Sequence, residues 1–405
     1  MSQTPRTLLM LGAGPDQLPA YRVARKQGYR LVAVDQRADS PGSALADVFL
    51  PISTREADKI ASALNGERPD GIVTTATDAA LGTHRKLALH YGLPYQPSAR
   101  AVRASMDKTF FRQILTESGL NTVRWVSDTD PERAAKLAED LPLPLVVKPT
   151  DASGGKGITL VTEWAGLNAA IETAHGLSRS GTVLIEEYVV GRHYAVEIWM
   201  RAGAEHFVPL TEKRMTPLPA MLTTGHLIPA RLPTEIAARV RGTLLRLCQT
   251  LDIVDGPANF DFILTDDDEL YMIEVGARLG GNAYPQLMYE AWGVDTVAAT
   301  VSLSVGEPFE LVPDRSRVCL LHLLTSPLST LAEVRGISGL AEVAAHAGVL
   351  TVELYTAVGQ VVRPFTEAGY KVGYVVLVAD DYPELDALLS WVDATLSLDL
   401  EPIDD

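Results

Sequence analysis

The first ninety residues alternate short apolar runs with helically spaced segments, and nothing else in the chain restricts its fold so strongly. Residues 7–12 (TLLMLG) read as a buried strand, with Ala13 to Pro15 as its turn. Helical spacing follows over 17–27, the strand LVAVD ends at Asp35, GIVTT (71–75) is a third strand, and 79–91 is a helix. Strands and helices in this order predict a parallel sheet covered on both faces. Gly12, Gly14 and Asp35 fit part of a dinucleotide fingerprint, but Gln17 stands where the third glycine belongs. The glycines therefore read as a tight strand-to-helix turn. The alternative, a nicotinamide site, requires NADH binding that depends on Asp35.

LPYQPS (93–98) is a proline-rich break. Beyond it the pattern predicts a helix from Asp107 to Gly119, the strand TVRWV, a helix over 131–139 and the strand LPLVVKP. A strand at 157–161, a helix at 164–174 and the strand TVLIEEYV close a compact unit. Longer strands follow at 193–200, 206–213, 257–265 and 269–276, with a helix over 233–251 between them. Thr265–Glu269 is a polar hairpin turn. The last ninety residues add strands at 317–324, 349–354 and 373–379 and a helix near 383–397. A chain of 405 residues needs several cores. The expected fold class is α/β (α+β), divided into 1–97, 98–190, 191–310 and 311–405.

A net charge of −16 argues against nucleic acid, whose phosphates such a surface repels. The apolar run near the N-terminus is five residues long, too short for a signal or a membrane span. Cys248 and Cys319, the two cysteines, show no metal-ligand spacing. These features lead to the expectation of a cytoplasmic protein with no membrane and no nucleic-acid partner.

Against that acidic background, KPTDASGGKGITLV (148–161) gathers two lysines and three glycines. It is not a P-loop, because Gly157 and Ile158 follow Lys156. Lys148 ends an apolar strand, where an uncompensated charge is costly unless its amine reaches solvent. Ser153, Gly154, Gly155, Lys156 and Gly157 can bring backbone N–H groups and a mobile amine over an anion. Each nearby unit charge contributes roughly 4 kcal/mol at 4 Å in an effective dielectric of 20. Lys108 is a third candidate cation. Glu186 and Glu187, with Tyr188 and Val189, end a strand whose free backbone groups can pair with the edge of a flat ring. Asp261 and Glu274 lie on strands joined by the hairpin and share a face if those strands pair antiparallel, an arrangement suited to Mg²⁺. Arg278 can grip a carboxylate or an acyl phosphate by two parallel hydrogen bonds, or form a salt bridge to one of the acids.

In this order, "DKTFFRQIL", "PLVVKPTDASGGKGITLV", "LIEEYVVGRHYAVEIW" and "ANFDFILTDDDELYMIEVGARLGG" resemble the ATP-grasp superfamily, and most of all its carboxylate–amine ligases of the L-amino acid ligase branch. The resemblance spans about 100–310. It implies an ATP-grasp fold, with residues 1–97 as a Rossmann-like pre-ATP-grasp domain and a looser likeness in a small C-terminal α+β domain. It implies that Lys108 and Lys148 bind the α- and β-phosphates of ATP and that the loop 152–157 closes over the triphosphate. Glu186 would face the adenine amino group, with the backbone of Glu187 and Val189 on the ring edge. Asp261 and Glu274 would hold Mg²⁺ or Mn²⁺, and Arg278 would stabilise an acyl phosphate. His226, in "TTGHLIPARL", would border the acceptor site; the alternative is an exposed loop histidine. Two positions depart from the family. Gly276 replaces a metal-binding asparagine, so Asn259, Asn282 or water would supply that ligand. His193 replaces an acid at the ribose, so Glu197 on the same strand face is the substitute. The implied activity joins a small carboxylate, such as an amino acid, to an amine in a homodimeric enzyme. The alternatives are a carboxylase working through carboxyphosphate and a nucleotide-binding protein without turnover.

Overall fold

The computed structural model describes residues 5–152, 154–218 and 220–403. Its N-terminal sheet is parallel, in the order Val48–Leu50, Arg30–Val34, Thr7–Leu11, Gly71–Val73. Alternation along Thr7–Leu11 sends Leu9 and Leu11 to one core and Leu8 and Met10 to the other. The helix Leu81–Tyr91 covers the first face. The second is shared between Leu18–Lys26 and Thr296–Ser304, a helix that arrives from far along the chain. A Cβ on Gly71 would lie 2.7 Å from the Ser304 carbonyl, so glycine is needed for that close approach. In the first turn, Gly12 has φ of +100° and the side chain of Gln17 fills the space beside Gly14. Asp35 accepts a hydrogen bond from Ala13 N at 3.0 Å, which ties it to the turn.

The next unit has an antiparallel sheet, ordered Trp125–Asp128, Val183–Glu187, Leu145–Pro149, Thr159–Val161. The helices Pro131–Ala138 and Leu167–Leu177 cover it. Asp130 caps the first of these, accepting from the N–H groups of Glu132 and Arg133. The helices Ala99–Met106 and Lys108–Glu117 lie within the expected 98–190 unit but pack elsewhere. Their apolar face, including Phe111, Ile114 and Leu115, joins the core of the following sheet with Tyr194, Val196 and Phe260. Burial of that stripe, rather than chain order, assigns them to the larger unit.

That larger sheet has nine strands, ordered Leu270–Gly276, Gly256–Leu264, Arg192–Arg201, Leu210–Met215, Thr223–Ile228, Val318–Leu324, Gly373–Ala379, Val349–Leu354, with Ala204–Phe207 beside Arg192–Arg201. Strand Val318–Leu324 pairs antiparallel with Thr223–Ile228. The expected division at 310/311 therefore falls inside one continuous sheet; only Val361–Val362, Ala332–Ser338 and Ser397–Pro402 form a separate small one. The expected strand over 206–213 is two strands, broken around Pro209, which has no N–H for a ladder. Thr223–Ile228 was not expected as a strand; its glycine and threonines hide the alternation that its partners impose.

Candidate active site

The hairpin sets the acidic wall. Asp261 pairs directly with Glu274, and a bulge follows between Asp261 and Phe262. Asn259 and Asp261 face a cavity of about 310 Å³, while Ala258 and Phe260 point into the core. The opposite wall comes from the small unit, where Lys148 sits on the inner strand Leu145–Pro149 and Glu186 opposes Val146 on the neighbouring strand.

Lys148 does not reach solvent: it is 5% exposed and ion-paired with Glu186. The other Glu186 oxygen accepts from Arg112 Nε at 2.5 Å. Arg112 is fully buried, and its Nη1 also donates to the carbonyls of Met272 at 3.3 Å and Ile273 at 2.8 Å. Burial alone would raise the Glu186 pKa, but the charges of Arg112 and Lys148 outweigh it and hold it at about 2. Burial, with Arg112 and Lys108 nearby, lowers the Lys148 pKa against the pull of Glu186. Glu186 lines the cavity with its carboxylate taken up by two cations. Arg112 is absent from the residues singled out above. The signal was its place four residues after Lys108, on the same helix face.

Lys108 donates to the Ala152 carbonyl at 2.7 Å and lies 3.9 Å from Glu274. The loop brings Gly154, Gly155 and Lys156 to the cavity. Gly155 has φ of +80°, and a Cβ there would lie 2.7 Å from Leu222. Gly157 is outside the lining, and Ser153 lies outside the described residues. Lys156 is largely exposed, 3.7 Å from Glu367 of the C-terminal region. Glu187, Val189 and His193 also line the cavity.

Lys213, also not anticipated, pairs with Asp261 at 2.5 Å. Its ammonium occupies cationic space beside the acids. Burial and Glu274 push the Asp261 pKa up, while the half-exposed Glu274 is held down by Lys108, Lys213 and Lys148 against the partial desolvation of its cavity position. Arg278 does not bridge to either acid. Its Nη2 donates to Asp78 of the N-terminal unit at 2.9 Å. A Cβ on Gly276 would lie 2.7 Å from the Arg278 guanidinium carbon, so a larger residue there requires this arginine to shift.

His226 is a buried residue of Thr223–Ile228 and lines the cavity. It packs edge-on against Tyr284 at 5.3 Å, and Tyr284 bonds Thr211 at 2.5 Å. Burial, with Lys213 and Lys371 adding to it, lowers the His226 pKa to about 3, so the imidazole is neutral. Burial and Lys213 likewise bring His193 to about 4. Glu197 does not line the cavity: it is fully buried, accepting from Trp199 Nε1 and Gly280 N. The expectation that it reaches a ribose fails because the loop after the hairpin covers it. Asn282 lines the cavity with its carbonyl oxygen accepting from Lys371 at 2.6 Å, whereas the Asn259 side chain has no such tie to a described residue.

Among the described residues no three His, Cys, Asp or Glu side chains gather as a metal cage. Two facing carboxylates suit a cation that takes its remaining ligands from water and phosphate, as Mg²⁺ does. No described helix is long and apolar enough to cross a membrane.

Residues 141–286 match the family model of the ATP-grasp domain, and 330–401 match L-amino acid ligase C-terminal domain 2. Residues 141–286 thus carry an ATP-grasp domain, and ligases of that superfamily are enzymes that bind ATP and form C–N bonds. Within it, the C-terminal match points to the L-amino acid ligase branch. The L-amino acid ligase of Bacillus licheniformis superposes with a TM-score of 0.84 at 21% identity, covering 98% of this chain and 99% of that one. N5-carboxyaminoimidazole synthetase of Staphylococcus aureus, complexed with ADP, gives 0.76 at 17%, covering 96% and 98%. The Sinorhizobium fredii protein y4rH is 27% identical over 82% of this chain and 69% of its own length. The formate-dependent phosphoribosylglycinamide formyltransferase of Haloquadratum walsbyi is 33% identical over 45% of this chain, a match that spans about half of that relative (46%).

Proposed function

We propose that the protein is an ATP-dependent carboxylate–amine ligase that activates an amino acid or similar small acid as an acyl phosphate. The observation that carries this reading is the convergence of Lys108, Lys148 and the glycine loop with Asp261, Glu274 and Arg278 on one cavity. Lys108 and Lys148 hold the phosphates, and the backbone of Glu187 and Val189 takes the adenine edge. Asp261 and Glu274, with Asn259 as third ligand, would hold Mg²⁺ (or Mn²⁺), which when bound neutralises charge on the phosphate oxygens. A carboxylate oxygen of the substrate attacks the γ-phosphorus, and the bond to the β-γ bridging oxygen breaks, releasing ADP. Arg278, steadied by Asp78, faces the acyl phosphate. The amine nitrogen then attacks the acyl carbon, phosphate leaves with the C–O electron pair, and the amine proton passes to solvent. Neutral His226 borders the acceptor without carrying charge. The loop 154–157 shields the intermediate from hydrolysis. A homodimer belongs to this reading; a related 2-oxoglutarate carboxylase domain from Hydrogenobacter thermophilus is described as a dimer.

Phosphate release measured over pairs of amino acids, with mass spectrometry of the product, tests the proposal. An ATP-dependent amide is the expected product; its absence across the panel, with ATP turned over on bicarbonate or formate, would replace this reading. That second reading has support in the formyltransferase and carboxyaminoimidazole synthetase relatives.

A further inference from the structure

A second cavity of about 520 Å³ lies on the other side of the acidic wall. It shares Lys108, Asn259, Glu274 and Arg278 with the first and opens between the N-terminal unit and the small unit. At its mouth stand Arg55, from the N-terminal unit, and Arg179, from the loop after helix Leu167–Leu177.

The charges in this cavity are unevenly satisfied. Arg278 is paired with Asp78, and Lys108 lies beside Glu274. Asp107 caps its helix by accepting from Phe110 N. Asp151 is filled by the N–H groups of Arg179 and Ser180 and the hydroxyl of Ser178. Each of the four carboxylates lining the cavity is thus engaged. The guanidinium groups of Arg55 and Arg179 are not: neither donates a hydrogen bond to, or ion-pairs with, a described residue, and burial and then Arg179 disfavour the charge on Arg55, with Asp151 acting the other way. In a chain of net charge −16, two adjacent unpaired arginines contributed by separate units form a place for an anion. At the inner end, Arg278 Nε and one oxygen of Asp78 are buried without hydrogen-bond partners among the described residues.

We propose that this cavity is a substrate subsite for a small molecule with a second anionic group, carboxylate or phosphate, held by Arg55 and Arg179 while its reacting group lies at Arg278 and Glu274. The inference rests on the ligase reading for the inner end only; the arginine clamp stands on its own geometry. Such a ligand would also draw the N-terminal and small units together.

The test uses the full-length protein saturated with MgADP. Titration calorimetry measures binding of inorganic phosphate and, separately, of succinate and glutarate, to wild type, to Arg55→Ala/Arg179→Ala and to Arg55→Lys/Arg179→Lys. At least one probe binds wild type, weakens at least tenfold in the alanine pair and recovers in part in the lysine pair. Phosphate against dicarboxylate identifies the anion. MgADP affinity is the same in all three proteins. Equal binding of every probe by wild type and the alanine pair, or no binding by wild type, overturns the subsite. Failure of MgADP to bind wild type would instead overturn the ligase reading, and the anion titrations, repeated without nucleotide, would still decide the clamp.

Discussion

Glu186 is clasped by Arg112 and Lys148, three charges inside one buried contact. Removing one member strands the others, which costs about 3–5 kcal/mol for a buried pair. Arg112→Ala should lower stability by that order in denaturant unfolding, although Arg112 itself does not line the cavity. Glu186 is held at about 2 against an ordinary 4.5, so its contribution to stability is present above pH 4.5 and disappears as pH falls toward 2. Glu197 has the opposite sign. Burial raises it from 4.5 to about 7, so its stabilising protonated form is complete below 4.5 and lost as pH rises through 7. Wild type should lose up to about 3 kcal/mol over that window, and Glu197→Gln should remove this part of the decline in Tm against pH. An unchanged slope would mean that Glu197 is solvated. Gly276→Ala should displace the Arg278 side chain, lowering kcat at least tenfold while leaving the Kd for ATP unchanged; a normal kcat would show that the arginine can shift without consequence.

At the scale of elements, the hairpin and the glycine loop serve different purposes. The antiparallel register places Asp261 against Glu274 without any help from the rest of the molecule. The motif spacing predicts that meeting, because strand pairing has a period of two. Glu274→Ala should abolish Mg²⁺-dependent ADP formation, followed by a coupled assay, with folding intact by circular dichroism. Lys148→Ala should weaken ATP binding at least tenfold, whereas the exposed Lys26→Ala should not; equal Kd values would remove Lys148 from the phosphate site. Lys213 and Asp78 were not legible, because each is chosen by a partner on a distant element. A lysine in LTEKRM or an aspartate in ATDAA carries no local sign of the acid or arginine that it will meet.

Over the whole molecule, the cavity is bounded by units that have separate cores. Lys156 of the loop approaches Glu367 from the C-terminal region, so the mouth of the site is framed by the C-terminal region as well as by the large sheet and the small unit. ATP, by bridging Lys148 and Glu274, should draw these units together. Small-angle scattering should show a smaller radius of gyration with MgATP in wild type and no change in Lys148→Ala; no contraction in wild type would indicate a preformed closed cleft.

The amino-acid order determined by itself the strand–helix alternation, the glycine loop, the hairpin and the sequence of charged motifs, since each depends on residues within a few positions of one another. Only the tertiary structure decided that the sheet crosses residue 310, that the helices at 99–117 pack with the larger unit, that Thr296–Ser304 covers the N-terminal sheet, and that Glu197 is covered while Arg278 turns to Asp78. Those outcomes depend on which apolar face and which buried charge finds a partner far away in the chain, a choice made by burial and desolvation rather than by local pattern.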